Sequence, residues 1–491
     1  MSVPKRIEAL PIKGSAEFGG GLAAPETNHN TRRGGESFFQ FGVTISGLGR
    51  DPTSPVSHHK AREVVRNTAQ FLLLRRLLPD EFAPREIFFM LRAMLIAFAL
   101  LTGVSQSARA VDVETLPKGV RMSQARFGVI SGLDQTWAKD GKLYDLGETR
   151  SVTFDAATLA RVNERARALV QALDYFGNHD LGEKIQLGTL NVQTTPQLQF
   201  FAPVLAYGLS DSWTLGIGVP VVRYQNTLTL SASNSNLAFY RQQFQGISHQ
   251  LDDALNLDLV AEAQKVIAEK GYRRLENRDE TFVADMQVAL LHRLGDLGSW
   301  SFLHQIAVTV PTGPKDDPDD LMSLNAFGRT ALGNTIIAAR QVARRLIFLP
   351  YLGLDLPIPD RVVKRIPKND DDNLPDQDSK QEIGRFLAPM ATLGSELRWA
   401  FTNRWDAKYG VEGSAKGKDR YEGTGRTDLL EKNTDSEVLR VRGGLSYSTV
   451  EDYKIGKSMA PTRVSLEVAD TVAGRNIERQ LRTELAAMLF F

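Results

Sequence analysis

The sequence has no cysteine among its 491 residues, which excludes a disulfide framework, a zinc–thiolate site and thiol chemistry. Its formal net charge is only +1, so the strongly basic character of a nucleic-acid-binding protein is absent. After Val104 no apolar run reaches the length of about 20 residues that a transmembrane helix needs. The apolar residues are instead dispersed along the chain.

Catalytic motifs are lacking as well. The histidines after residue 110 are His179, His249, His292 and His304, and none lies in an H-E-x-x-H motif. The chain also has no G-x-S-x-G elbow and no Walker A loop. The sequence therefore predicts neither an enzyme nor a cofactor, and no metal ligands. His249, in a predicted loop, is the only histidine placed where an enzyme at a barrel rim would need one.

A secretory signal peptide is indicated at residues 90–110. Arg85 and Arg92 flank Met90, an apolar run extends from Ala93 to Val104, and Ala108-Arg109-Ala110 forms an A-x-A cleavage site. We expect Met90 to be the true start and residues 1–89 to be a disordered, non-native upstream extension. The competing interpretation is a cytoplasmic tail on an inner-membrane anchor.

The end of the chain alternates between apolar and polar residues with a period of two. Such a period indicates a strand with one apolar and one polar face. Similar alternation recurs in the segments around Val464–Val468, Leu439–Tyr447 and Leu397–Val411. The apolar face of the last segment consists of Leu481, Thr483, Leu485, Ala487, Leu489 and Phe491.

Three short turns share a tryptophan that opens the next strand. They are Tyr207–Gly216, Leu294–Trp300 and Leu397–Val411, in which Asn, Asp, Ser and Gly supply the turn. Trp and Tyr at one level are typical of the interfacial girdle of a membrane barrel. The predicted girdle residues are Trp213, Trp300, Trp399, Trp405 and Tyr409.

The predicted connections alternate between short and long. Those at 209–212, 295–299, 343–345 and 402–404 are short, as periplasmic turns are. Extracellular loops are predicted near 224–279, 312–328, 359–384 and 414–435, and these are long. Two connections depart from this alternation: the predicted periplasmic turn at 449–460 is long, and the predicted outer turn at 471–477 is short. Amphipathic helices are predicted at Asp155–Tyr175 and at 250–270.

The polar face of the C-terminal strands is densely charged. Its mixed signs predict cross-strand ion pairs, and such rings either line a selective passage or fill the interior. These side chains are Glu396, Arg398, Asp406, Lys408, Arg440, Arg442, Arg463, Glu467, Arg482 and Glu484. The acidic clusters Asp316–Asp320 and Asp370–Asp372 are either solvated loops or weak Ca²⁺ or Mg²⁺ sites shared with lipopolysaccharide phosphates.

These features together resemble Gram-negative outer-membrane β-barrel proteins over residues 111–491. The chain is similar to transport barrels of the phenol-degradation-associated and hydrophobic-compound channel type, on the basis of its size, the Gly-Leu-Ser-Asp-Ser-Trp turn and Phe491. The resemblance implies an all-β, antiparallel transmembrane barrel of about twelve strands with one or two helices in loops. In this class a terminal Phe resembles the assembly signal.

The resemblance implies residence in the outer membrane of a Gram-negative bacterium and a channel or transporter for small solutes. The expected partners are outer-membrane lipid, lipopolysaccharide, the barrel assembly machinery and a small-molecule solute, with no nucleic acid. The alternative is a structural or adhesive barrel whose extracellular loops bind partners.

Overall fold

The computed structural model describes residues 115–491, except for residues 157, 159–169, 176–180, 248, 325–326 and 371. The signal peptide predicted at 90–110 and the extension predicted at 1–89 lie outside the described residues. So do His179 and most of the helix predicted at Asp155–Tyr175, of which only the two ends are described.

The described residues form a closed antiparallel barrel of twelve strands, so the predicted fold class and strand count are confirmed. Closure leaves no unpaired strand edge. In chain order the barrel strands are β1 (Arg121–Ser131), β2 (Gln186–Ser210), β3 (Trp213–Gly218), β4 (Met286–Leu297), β5 (Trp300–Val310), β6 (Ala331–Ala343), β7 (Leu346–Pro357), β8 (Met390–Ala400), β9 (Trp405–Lys416), β10 (Ser436–Ser448), β11 (Thr462–Arg475) and β12 (Leu481–Phe490).

The alternation of β12 places its apolar side chains on the outside of the barrel. Leu485 and Leu489 are 46% and 42% exposed, whereas Glu484 on the opposite face is 8% exposed. β12 pairs with β11 on one side and with β1 on the other. Phe491 extends this last seam, because its backbone N–H donates to the Arg121 carbonyl (2.9 Å) and its carbonyl accepts from the Arg121 N–H (2.8 Å).

The two ends of the barrel differ in the length of their connections. At one end residues 211–212, 298–299, 344–345 and 401–404 join the strands, together with the longer segment 449–461. At the other end the connections are 132–185, 219–285, 311–330, 358–389 and 417–435, and the short 476–480. The short turn predicted at 471–477 lies later, because β11 continues to Arg475 across a bulge opposite Leu439 and Arg440.

The long connections contain further secondary structure. β2 has 25 residues, and its first half continues past the barrel wall to pair with other strands. The additional strands are Gln135–Trp137, Leu143–Asp145, Val152–Asp155, Val221–Ser233, Arg278–Val283, Asp360–Arg365, Lys380–Phe386, Arg420–Glu422 and Ile477–Glu478. Short 3₁₀ helices occupy Glu148–Arg150, Gln377–Ser379 and Thr427–Glu431.

Four helices lie entirely within the described residues, more than the one or two predicted, and residues 170–175 belong to a further helix. The four are α1 (Leu237–Phe244), α2 (His249–Leu255), α3 (Leu259–Glu269) and α4 (Val450–Lys454). The single helix predicted at 250–270 is interrupted because Asp258 caps α3, accepting from the N–H groups of Val260 and Ala261. No helix in the described part of the chain is both long and apolar enough to cross a bilayer.

The first three helices share an apolar core with the extension of β2 and with residues of the 132–185 connection. Leu173, Ile185, Tyr240 and Leu255 are each at most 1% exposed within this core. Tyr240 also donates its hydroxyl to the Leu181 carbonyl at 2.5 Å. The connections at this end therefore form packed structure rather than isolated loops.

Candidate functional site

All ten predicted charged residues lie on β8–β12 and face the barrel interior. Outward neighbours make the assignment clear: Leu397 and Trp399 are 41% and 55% exposed, whereas Glu396, which precedes Leu397, is 8% exposed. Sequence alternation alone carried this prediction, because successive strand residues point to opposite faces. The ion pairs within the set depend on the register of the strands.

The longest group is a chain of alternating charge across four strands. Glu467 and Glu484 lie directly opposite each other on β11 and β12, an arrangement that would be repulsive without a cation between them. The Arg482 guanidinium supplies it, with Nη2 3.1 Å from Glu467 and Nε 3.9 Å from Glu484. Arg126 on β1 binds Glu484 through two contacts of 2.8 and 2.9 Å, and Lys408 on β9 pairs with Glu467.

A second group places two arginines on one carboxylate. Arg398 Nη2 lies 3.0 Å from Glu396 Oε1, and Arg442 Nη2 lies 3.4 Å from Oε2 of the same side chain. The Nε atoms of both arginines are buried and have no hydrogen-bond acceptor among the described residues. One positive charge of this group is therefore uncompensated.

The remaining charges form two smaller groups. Arg463 binds both carboxylate oxygens of Asp406 at 2.9 and 3.1 Å. Arg440 lies 3.4 Å from Glu412, and the Tyr351 hydroxyl donates to the same carboxylate at 2.7 Å. Each of these groups contains as many carboxylates as cations.

Three members of this inner wall were not predicted: Arg126, Tyr351 and Glu412. Glu412 shares the parity of Asp406 and Lys408 in β9, so the alternation already contained its signal. Arg126 lies in β1, where the alternation is weak. Tyr351 lies in an apolar strand, and a single tyrosine there carries no pattern that distinguishes the two faces.

Inward-facing glycines explain how side chains reach past a neighbouring strand. They are Gly394 on β8, Gly410 on β9 and Gly444 on β10. A Cβ at Gly394 would lie 2.2 Å from Cζ of Tyr351, and one at Gly444 would lie 2.9 Å from Cε of Lys408. Because any larger residue would occupy this space, the glycines allow charges two strands apart to meet.

An apolar cluster occupies part of the opposite inner wall, among inward polar side chains such as Gln305, Thr335 and Asp355. Leu303 on β5 and Ala339 on β6 are 5% and 1% exposed, and partly buried inward side chains pack against them. These neighbours are Leu291, Ile337, Ile347 and Leu349. The interior thus combines this apolar cluster on β4–β7, the apolar wall, with a charged wall on β8–β12 and β1. In the charged wall seven basic side chains meet five carboxylates.

The five predicted girdle residues all have outward parity. Trp399, Trp405 and Tyr409 are 55%, 43% and 56% exposed. Trp213 stacks on outward-facing His292, with 3.8 Å between ring centroids. The four tryptophans, the fourth being Trp300, lie within two residues of short turns, whereas Tyr409 lies four residues further along β9 than Trp405, or roughly 13 Å along the strand.

Trp300 also contacts a cation on the outer surface. The Arg340 guanidinium carbon lies 5.6 Å from the centre of the Trp300 ring, and Arg340 is only 8% exposed. His304, two strands from Trp213, likewise faces outward, and its Nε2 is 3.0 Å from Asn334 Oδ1. Polar groups at the level of the girdle are typical of an interfacial belt.

The first acidic cluster of the outer loops is bound by basic side chains. Asp316 pairs with Lys364, and Asp320 with Arg278 at 3.2 Å. Asp370, in the second cluster, pairs with Arg426 at 3.1 Å. No group of three or more potential metal ligands occurs among the described residues. Asp316 and Asp320 are therefore largely buried loop-to-loop contacts, whereas Asp370 pairs across loops but stays 62% exposed.

Asp319 is the centre of this loop contact. It binds Arg365 and Lys380 at 2.5 Å each. Burial acts to raise the pKa of Asp319, but the two cations outweigh it and hold the pKa below the usual value. Burial also raises the pKa of Tyr272, whose ring lies 3.7 Å from the Arg365 guanidinium carbon, to about 12.

Among known proteins, this chain is similar only to solved structures. No family model matches the chain, and no curated protein matches it. One similar solved structure is the COG4313 outer membrane channel from Pseudomonas putida F1, with 12% identity, 79% of this chain and 100% of that chain covered, and a TM-score of 0.43. Another is the Ralstonia pickettii toluene transporter TbuX, with 9% identity, 77% and 90% covered, and a TM-score of 0.30.

A third is the NanC porin, with 7% identity, 60% of this chain and 93% of that chain covered, and a TM-score of 0.28. All three are transport barrels, the class that the sequence resembles.

Proposed function

We propose that this protein is an outer-membrane channel for small solutes and not an enzyme. The observation that carries the proposal is the solvent accessibility of the charged inner wall. Its six arginines keep between 24% and 37% of their side-chain surface accessible to solvent. Charged groups sealed from water are costly, so a wall of this composition fits a water-containing passage.

The outer surface supports membrane residence. An apolar band covers the outward faces of the strands, and Trp399 and Trp405 border it next to a short turn. An apolar exterior around a polar interior is the arrangement of outer-membrane barrels. The predicted signal peptide is consistent with export, and the mature N-terminus tests this: we expect Val111, whereas a protein that begins at Met1 in the inner membrane contradicts the proposal.

Reconstitution into planar bilayers tests the channel. We expect discrete conductance steps in KCl and solute-dependent swelling of liposomes. Thr392 and Ala391 are neighbours on opposite faces of β8 and provide a matched pair of variants. Thr392→Trp should reduce the conductance because the indole enters the interior, whereas Ala391→Trp should not. Liposomes that respond like protein-free ones, with no conductance steps, would refute the proposal.

A further inference from the structure

We infer that the interior binds organic anions that carry an apolar body, where the charged wall meets the apolar wall between β7 and β8. This inference rests on the proposed channel function and names its class of solute. The acid group of the solute would be held by Arg398 and Arg442. Its apolar body would lie on Ile347 and Leu349.

The register places the two kinds of side chain side by side. Ile347 on β7 lies directly opposite Arg398 on β8, and Leu349 lies directly opposite Glu396. Directly opposed residues in an antiparallel pair have Cβ atoms about 4.5–5.5 Å apart. A carboxylate on the guanidinium therefore places its attached carbon atoms against the apolar wall.

The apolar side extends beyond these two residues. Ile337 on β6 and Leu303 on β5 lie directly opposite each other and face inward. Both belong to the apolar cluster that includes Ile347 and Leu349. The cluster crosses four neighbouring strands, β4–β7, so it offers a surface to a phenyl ring or a short alkyl chain rather than to a single methyl group.

The charge at the boundary selects the sign of the solute. Arg398 and Arg442 share the single carboxylate of Glu396, so two positive charges meet one negative charge, and their side chains keep 34% and 24% of their surface accessible. Lys408 lies directly opposite Arg398 and has its own partner in Glu467. An incoming carboxylate or sulfonate supplies the missing negative charge and accepts from the arginines, whereas an organic cation is repelled.

Phenylacetate is a suitable probe because it combines a carboxylate with a phenyl ring. In planar bilayers we expect it to interrupt the chloride current at concentrations at least about tenfold lower than acetate, and phenethylammonium to have no such effect. Acetate has the charge alone and phenethylammonium has the ring with the opposite charge. Equal effects of phenylacetate and acetate would contradict a role for the apolar wall.

Three variants locate the binding. Arg398→Gln should weaken the effect of phenylacetate about tenfold or more, as the loss of a charged hydrogen bond does. Ile347→Asn should weaken phenylacetate but not acetate. Arg463→Gln is the control, because it removes the same charge from the inner wall at the Asp406 pair. If Arg463→Gln weakened the effect of phenylacetate as much as Arg398→Gln does, the preference would follow from the net charge of the interior, and the proposed binding site would be wrong.

The failure of this inference is distinguishable from failure of the channel itself. Conductance in KCl without a selective phenylacetate effect overturns the solute class and leaves the channel intact. If no conductance occurs, the channel proposal fails, and titration calorimetry of phenylacetate against the purified full barrel decides the binding. Calorimetric binding that Arg398→Gln abolishes and Arg463→Gln retains supports the site, and absence of heat overturns it.

Discussion

Arg365 links three of the long connections, and its removal should loosen them without affecting the barrel. Its guanidinium donates to the carbonyl groups of Lys270 (2.7 Å), Gly271 (2.8 Å) and Pro375 (3.0 Å). It also forms the ion pair with Asp319 described above, and its side chain is 3% exposed. All of these partners lie outside the twelve barrel strands.

The magnitude follows from the burial of the ion pair. Removing one partner of a buried pair costs about 3–5 kcal/mol, mostly because the other charge is left without compensation. Asp319 keeps its contact with Lys380, so we expect Arg365→Met to lie near the lower limit, at about 3 kcal/mol of loop docking. Since 1.4 kcal/mol corresponds to a factor of ten, the undocked population rises by roughly 10²-fold.

Limited proteolysis measures this population when undocking is fast relative to cleavage. Cleavage within residues 311–330 and 358–389 should accelerate by about two orders of magnitude. The temperature at which the barrel loses its compact mobility in SDS should remain unchanged. Arg361→Met is the matched control: it lies in the same short strand, but its side chain is 72% exposed and its pair with Glu382 contributes little.

Two results would refute this reasoning. Unchanged cleavage in Arg365→Met would mean that the loops are held by other contacts. A large fall in the melting temperature of the barrel would mean that docking of the loops and stability of the strands are coupled.

Gly394→Ala should destabilise the barrel by about 1–3 kcal/mol in urea unfolding, because the new methyl group overlaps the Tyr351 ring. Gly333→Ala is the control and should destabilise it less, because the new Cβ would lie 3.6 Å from the nearest atom, Cβ of Ala307. Phe491→Ala should slow assembly in cells while the purified barrel keeps its stability. The ring is 61% exposed, and the seam with Arg121 is made by backbone groups that the substitution leaves in place. Equal slowing by Leu489→Ala would contradict a specific signal. The loops should stay docked down to about pH 4 and loosen at lower pH. The pKa of Asp319 is lower in the folded protein than in the unfolded chain, so its ion pairs stabilise the docked loops fully above the usual carboxyl pKa. This stabilisation is lost as the pH falls through the pKa that Asp319 has in the folded protein. Hydrogen exchange that increases on raising the pH through neutrality, beyond the intrinsic rate, would contradict this sign.

The predictions from sequence were most accurate where a local pattern determines the outcome. Glu396 and Arg398 were assigned to the inner face, and Trp399 to the outer one, because a strand alternates whatever its neighbours are. Phe491 likewise indicated the seam end of β12. The partners of the loop carboxylates could not be predicted from a local pattern. The sequence contains Asp319, but nothing near it in the chain shows that Lys380 lies beside it.

The sequence by itself determined which residues form strands and which face of each strand is charged, since a period of two is a property of the backbone. Only the tertiary structure decided which charges meet. Lys408 reaches Glu467 across Gly444 because the register of β9, β10 and β11 aligns these three positions. A shift of one residue would turn every side chain to the other face, so the partners depend on closure of the whole barrel.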